Sequence, residues 1–243
     1  MNRKHILLSA AALTLLGSAA SVLAQGQPAA PQAPMSFFIT SAPPTGTGNL
    51  GGLAGADQIC QNLAAAAGAG NRTWHAYLSQ EQRGNVPRVN ARGRIGDGPW
   101  FNSKGAMIAS NVADLHGDQL RDRNNIQRTT ALDEKGNQVP GGGTQGVQNE
   151  HDILTGSDPQ GRAFTDGNDH TCNNWTSDGM ELARAANAPA DVPADRARAM
   201  LGHMDRSNGG NISWNSTHLS QGCSKVSLNR TGGGGRLYCF AIN

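Results

Sequence analysis

The chain has 243 residues, 20 Lys plus Arg against 18 Asp plus Glu, and only 5% aromatic residues. Its small positive charge comes from Arg3 and Lys4 near the N-terminus; without them the charges balance. A balanced chain has no electrostatic footing for nucleic acid or an anionic membrane surface, and its length suits one large domain or two small ones.

Residues 1–24 have the layout of an export signal. Arg3, Lys4 and His5 form a basic start, an apolar run follows from Ile6 to Leu16, and Val22 and Ala24 supply the small-residue pattern before a cut at Gln25. The run is too short to span a bilayer, and no other candidate span follows. This predicts a mature chain of about 219 residues, secreted, periplasmic or on the cell surface, where disulfides persist. An uncleaved N-terminal anchor is the competing reading. Residues 25–35, QGQPAAPQAPM, read as a flexible linker.

A single domain is expected over 36–243. SFFITS, residues 36–41, is rich in strand formers, and 42–52 is a loop. Ala56, Ile59, Cys60, Leu63, Ala64 and Ala67 repeat at helical spacing and define one buried face. Asp57 lies near the helix's positive end and Gly68 offers its stop. TWHAYLS, residues 73–79, alternates Trp74, Ala76 and Leu78 against His75 and Tyr77, as a half-buried strand does. Residues 84–105 are loop-rich, 106–115 read as a strand and a short turn, and 133–149 and 185–199 as surface excursions. TGGGGR, 231–236, precedes a strand and so is no phosphate loop; a hairpin-like turn is expected there. RLYCFAI, 236–242, is a strong final strand. The 32 glycines imply a small regular core carrying large loops.

The cysteines are Cys60, Cys172, Cys223 and Cys239. Four cysteines allow three pairings, and spacing does not choose among them. A nested pattern, Cys60–Cys239 with Cys172–Cys223, would tie the ends of the domain and staple an inner loop.

Several segments, taken together, resemble a family. They are SFFITS, NLGGLAGADQICQNLA (49–64), TWHAYLS, GPWFNSKG (98–105), NEHDILTGSDPQGRAF (149–164), TCNNWTSDG (171–179) and ISWNSTHLSQGCSKVSLNRTGGGGRLYCFA (212–241). In this order they are similar to secreted bacterial domains of uncharacterised function, which include spirochaete endostatin-like surface proteins and bacterial proteins named "lectin". The resemblance implies an α+β, C-type-lectin-like fold: a small mixed sheet, an early helix, a terminal strand paired with the first strand, and long loops. It also implies the nested pairing. Sugar-binding lectins of that fold carry a Glu-Pro-Asn or Gln-Pro-Asp triplet and then Trp-Asn-Asp. This chain lacks both, and Trp214-Asn215-Ser216 has serine in place of the calcium-binding aspartate. That argues against a calcium-dependent sugar site, since calcium needs six to eight oxygens.

Asp166, Asn168 and Asp169 crowd oxygens into one loop, with Asp152 and Asp158 as candidates to join them. They read either as a calcium or sugar-hydroxyl site or, in preference, as turn residues bonding their own backbone. Trp175 and Trp214 could stack on a sugar, although core packing is the stronger reading. With Asn173, Asn215 and His218 they make up the expected ligand surface around Cys172–Cys223. His151-Asp152, His116 with Asp118, and His203 with Asp205 are near neighbours, but none has the spacing of HExxH, and GxSxG is missing. The sequons at Asn71, Asn174, Asn211, Asn215 and Asn229 mark polar loops. The sequence therefore predicts a non-catalytic, extracytoplasmic, lectin-like module for a glycan or glycoprotein, without a required cofactor. A protein-binding adhesin-like module and a His/Asp hydrolase are the alternatives.

Overall fold

The computed structural model describes residues 32–117, 123–142, 146–179, 197–207 and 212–243. The signal, all of the linker but 32–35, and most of the 185–199 excursion lie outside the described residues. Residues 32–243 form one compact unit of mixed α and β structure.

In chain order the elements are β1 (Phe37–Ile39), α1 (Gly52–Ala66), β2 (Trp74–Ala76), β3 (Trp100–Phe101), β4 (Met107–Ala109), α2 (Val112–His116), β5 (Asp152–Leu154), the single turn α3 (Cys172–Trp175), β6 (Met200–His203), β7 (His218–Leu219), α4 (Lys225–Thr231) and β8 (Gly233–Ala241). β8 is the axis of the main sheet. β1 and β2 pair antiparallel with its C-terminal half, β5 runs parallel to its N-terminal half, and β6 and β7 extend the sheet from β5. β3 and β4 form a separate hairpin.

β8 is buried along its whole length, which the sequence explains. Alternate side chains of a strand enter opposite faces, and both faces here are apolar. Leu237 and Cys239 join Phe38, Trp74 and Trp175 on one side, while Tyr238 and Phe240 join Phe37, Tyr77, Trp100 and Trp214 on the other. The half-buried alternation expected at 73–79 holds over Trp74–Ala76, where His75 is partly exposed, and is corrected at Tyr77. Tyr77 is as buried as Trp74 and Leu78, because its ring enters the second cluster and its hydroxyl meets His116 Nε2 at 2.7 Å.

Helix α1 buries Ala56, Cys60 and Ala64, three positions of its expected face, and ends at Ala66, just before Gly68, whose φ is +81°. Asp57 is not at the helix start as expected, since α1 begins at Gly52 and its first turn holds no acidic residue; instead it accepts from Ala76 N–H and pairs with Arg94, tying the helix to β2. The disulfides are Cys60–Cys239, joining α1 to β8, and Cys172–Cys223, joining α3 to the segment before α4. The terminal strand pairs with the first, as the resemblance implied.

Two expectations about loops are corrected. The 133–149 stretch is not wholly at the surface: Asp133, Glu134 and Val139 are buried, since Val139 enters the second core cluster and the carboxylates receive N–H groups, Glu134 from Ser41 and Asp133 from Lys135 and Asn137. TGGGGR is not a hairpin turn. Thr231 ends α4, Gly232 caps it at φ +98°, and Gly233 already belongs to β8. No described helix is long and apolar enough to cross a membrane.

Candidate functional site

Two groups of polar side chains stand out. The first surrounds α3, which winds the wrong way. Cys172, Asn173, Asn174 and Trp175 have φ of +48°, +55°, +53° and +66°. Left-handed backbone costs roughly 1–2 kcal/mol per residue carrying a Cβ, less for Asn, so such a run needs support from its surroundings. Support comes from every side. Asn174 Oδ1 accepts from Glu81 N–H at 2.8 Å and Asn174 Nδ2 donates to Glu81 C=O at 2.9 Å. Trp175 Nε1–H donates to Ser79 C=O, and Asp169 accepts from the N–H groups of Thr171 and Asn173. Cys172 is held by its disulfide.

Charged groups brace the same turn from behind. Glu81 accepts from His170 Nδ1–H at 2.9 Å, and Arg83 bridges Glu81 and Asp169 at 2.9 and 2.8 Å. Burial works against a charge on His170, but the Glu81 hydrogen bond and Asp166 outweigh it and raise its pKa above the usual histidine value. Slight desolvation of Asp166 is likewise outweighed by hydrogen bonds from Asn168 and by His170, so its pKa falls. The outward side of the turn carries exposed Asn173 and Thr176, with exposed Asp166 and Asn168 nearby in sequence.

The predicted ligand surface is thus divided. Asp166, Asn168 and Asn173 are exposed, and Asp169 is half-buried. The Asp166 and Asp169 oxygens face N–H donors, the turn arrangement preferred from sequence. Asp158 closes a turn of its own through Gln160 and Arg162. Trp175, Trp214 and Asn215 are core residues and cannot meet a surface ligand: both indoles are fully buried, in different clusters, and the Asn215 amide donates to Tyr77 Oη and the carbonyls of Asp158 and Pro159. The sequons at Asn174 and Asn215 are buried as well.

His218 belongs to the second group, which sequence reasoning saw only in pieces. Asp152 and His203 are directly opposed on β5 and β6, and His218 lies opposite Leu201 on β7. His151 precedes β5. The β5–β8 ladder slips between Asp152 and Ile153, the kind of irregularity that re-aims side chains. His151 Nε2 and His203 Nε2 stand 3.2 and 3.0 Å from Asp152 Oδ1, and His218 Nε2 3.7 Å from the same atom. The rings of His151 and His203 stack at 4.2 Å. His151 Nδ1–H donates to buried Asp205 at 3.0 Å. Burial opposes charge on both partners. For His151 the Asp205 hydrogen bond and the two carboxylates prevail and raise its pKa; for Asp205 the hydrogen bonds from His151 and Ser207 hold its carboxyl well below the usual range. Among the described residues, His151, Asp152 and His203 form a group that could share a metal ion, their donor atoms lying within 4.8 Å of one another. The adjacency of His151 and Asp152 was a signal in the sequence; the contributions of His203 and His218 depend on strand register.

No family model matches the chain, and no curated protein matches its sequence.

Proposed function

We propose that the protein is a non-catalytic, extracytoplasmic binding module of the C-type-lectin-like kind, recognising a glycan or extracellular glycoprotein. The observation that carries this is the braced left-handed turn at Cys172–Trp175, with four consecutive positive φ values and exposed Asn173 at its crest. Strained backbone that the rest of a fold over-determines is characteristic of ligand clamps. What the strain achieves here is a fixed Asn173 amide, donating to Thr176 Oγ1, with exposed Asp166 and Asn168 close by in sequence, and amides and carboxylates are the partners that sugar hydroxyls take. Rigid presentation keeps the ordering cost of binding small. The two disulfides and the neutral charge balance suit an extracytoplasmic domain, and the segment resemblance from 36 to 241 supports the fold assignment.

A glycan array and an extracellular-matrix protein panel, each probed with the full chain, test this. Binding to glycans, or to matrix glycoproteins in a manner abolished by enzymatic deglycosylation, supports the reading. Binding to protein unaffected by deglycosylation, or none on either panel, overturns it.

A further inference from the structure

We infer that His151, Asp152 and His203, with His218 beside them, form a binding site for a first-row transition-metal dication of the zinc type, a property separate from the glycan-binding reading. The donor atoms of His151, Asp152 and His203 all lie within 4.8 Å of one another, and His218 Nε2 approaches two of them. Zinc bonds of roughly 2.0–2.1 Å to nitrogen and oxygen place tetrahedral ligand atoms roughly 3.3 Å apart. The contacts here are 3.2 Å (His151 Nε2 to Asp152 Oδ1), 3.0 Å (His203 Nε2 to the same oxygen), 3.1 Å (His203 Nε2 to His218 Nε2) and 3.7 Å (His218 Nε2 to Asp152 Oδ1).

The second observation is the state of Asp152. Its residue is fully buried, and neither carboxylate oxygen has a hydrogen-bond partner although two imidazole nitrogens lie within 3.2 Å. Those nitrogens are close to the oxygen but do not aim N–H groups at it. A buried carboxylate left this way is costly, and a dication among the same atoms removes the cost. Outer contacts select the nitrogen of two of the histidines, while His203 Nδ1 is buried without a partner. His151 offers Nε2 because its Nδ1–H is given to Asp205, and His218 offers Nε2 because its Nδ1 faces Leu219 C=O at 3.2 Å. Histidine ligands of metals are oriented in this way by a carboxylate or carbonyl behind them. With Asp152 and Asp205 both buried, a dication balances the charge of the pair. Two imidazoles in the set and a third beside it disfavour calcium, which takes oxygen ligands, and favour zinc, cobalt or nickel.

The backbone is fitted to the same centre. A Cβ on Gly232 would stand 3.1 Å from His151 Nε2, and one on Gly233 would stand 3.1 Å from Asp152 Cβ, so the glycine run after α4 leaves room for the cluster. His218, with its side chain 37% exposed against 4% or less for His151, Asp152 and His203, stands on the solvent side of the site.

The test uses the full chain, stripped with chelator, checked for folding by circular dichroism, and titrated separately with Zn²⁺, Co²⁺ and Ca²⁺. The expected result is one equivalent of Zn²⁺ bound, a tetrahedral Co²⁺ absorption spectrum, a rise in melting temperature with Zn²⁺, and no effect of Ca²⁺. His218→Gln, at the exposed edge, is expected to fold and to weaken Zn²⁺ more than 10-fold, and Asp205→Asn to weaken it by roughly 10–100-fold through His151. A folded, stripped chain that takes up no Zn²⁺, Co²⁺ bound without a tetrahedral spectrum, or a His218→Gln variant that binds Zn²⁺ as tightly as the parent would overturn the assignment.

Discussion

The side-chain amide of Asn174 exchanges two hydrogen bonds with the main chain of Glu81, accepting from its N–H at 2.8 Å and donating to its C=O at 2.9 Å. One side chain thereby takes the place of a neighbouring strand, across 93 residues of sequence, and fastens the left-handed turn to the segment after β2. The exposed crest of that turn is rigid because this pair is buried beneath it.

Asn174→Ala is therefore expected to be far more damaging than a surface change. It leaves two buried main-chain groups of Glu81 unmet, at about 1–3 kcal/mol each, and places alanine at φ +53°. We expect a loss of about 2–5 kcal/mol in chemical denaturation. A loss below about 1 kcal/mol, the ordinary range of a single exposed contact, would show that the turn is held otherwise.

Reduction should lower stability through both disulfides. Cys60–Cys239 closes a separation of 179 residues and Cys172–Cys223 one of 51. Chain entropy assigns them roughly 5 and 4 kcal/mol as upper guides. Thermal melts with and without reductant, with thiols counted, check this. An unchanged melting temperature in the fully reduced chain would mean that the two apolar clusters suffice alone.

The pairing of His170 with Glu81 and Asp166 gives a signed pH dependence. Its folded pKa is raised above the unfolded value near 6.5. The contribution is therefore fully present below that value and lost as pH rises through the folded one. The stability advantage of the parent over His170→Gln should be largest in mildly acidic buffer and shrink through neutral into alkaline pH. Melting curves of both proteins from pH 5 to 9 measure it. An advantage that grows with pH would contradict the charge-based account.

Gly202 tests how closely β6 approaches the Trp214 segment. A Cβ there would lie 1.8 Å from Trp214 C=O, a backbone atom that cannot step aside. Gly202→Ala is expected to cost about 3 kcal/mol or more, read as a fall in melting temperature or loss of soluble protein. Parent-like melting would mean that the two segments sit further apart.

Local pattern carried part of this structure. The spacing of Ala56, Cys60 and Ala64 located α1, and the apolar run at 236–242 located the final strand, because both signals are periodic within one element. Alternation at 73–79 misjudged Tyr77, since a polar-tipped ring looks outward in sequence while the fold covers both faces of the sheet. The left-handed turn left one trace, the Asn173-Asn174 pair, a residue type that tolerates positive φ. The same tolerance serves any loop. Trp175, Trp214 and Asn215 attracted a ligand reading by their chemistry, and only tertiary packing shows that the fold spends them internally. His151, Asp152, His203 and His218 meet through the register of β5, β6 and β7, which no local spacing records.

The binding claim rests on the crest of the left-handed turn, and Asn173→Gly addresses it most directly. Glycine suits φ +55°, so the substitution removes the amide without disturbing the backbone that presents it. Affinity for the strongest array glycan should be measured for the parent, for Asn173→Gly and for Asn168→Ala, with circular dichroism confirming the fold. The account predicts a weakening of about 1 kcal/mol or more, near fivefold to tenfold, for Asn173→Gly. Parent-like binding by both variants would contradict it.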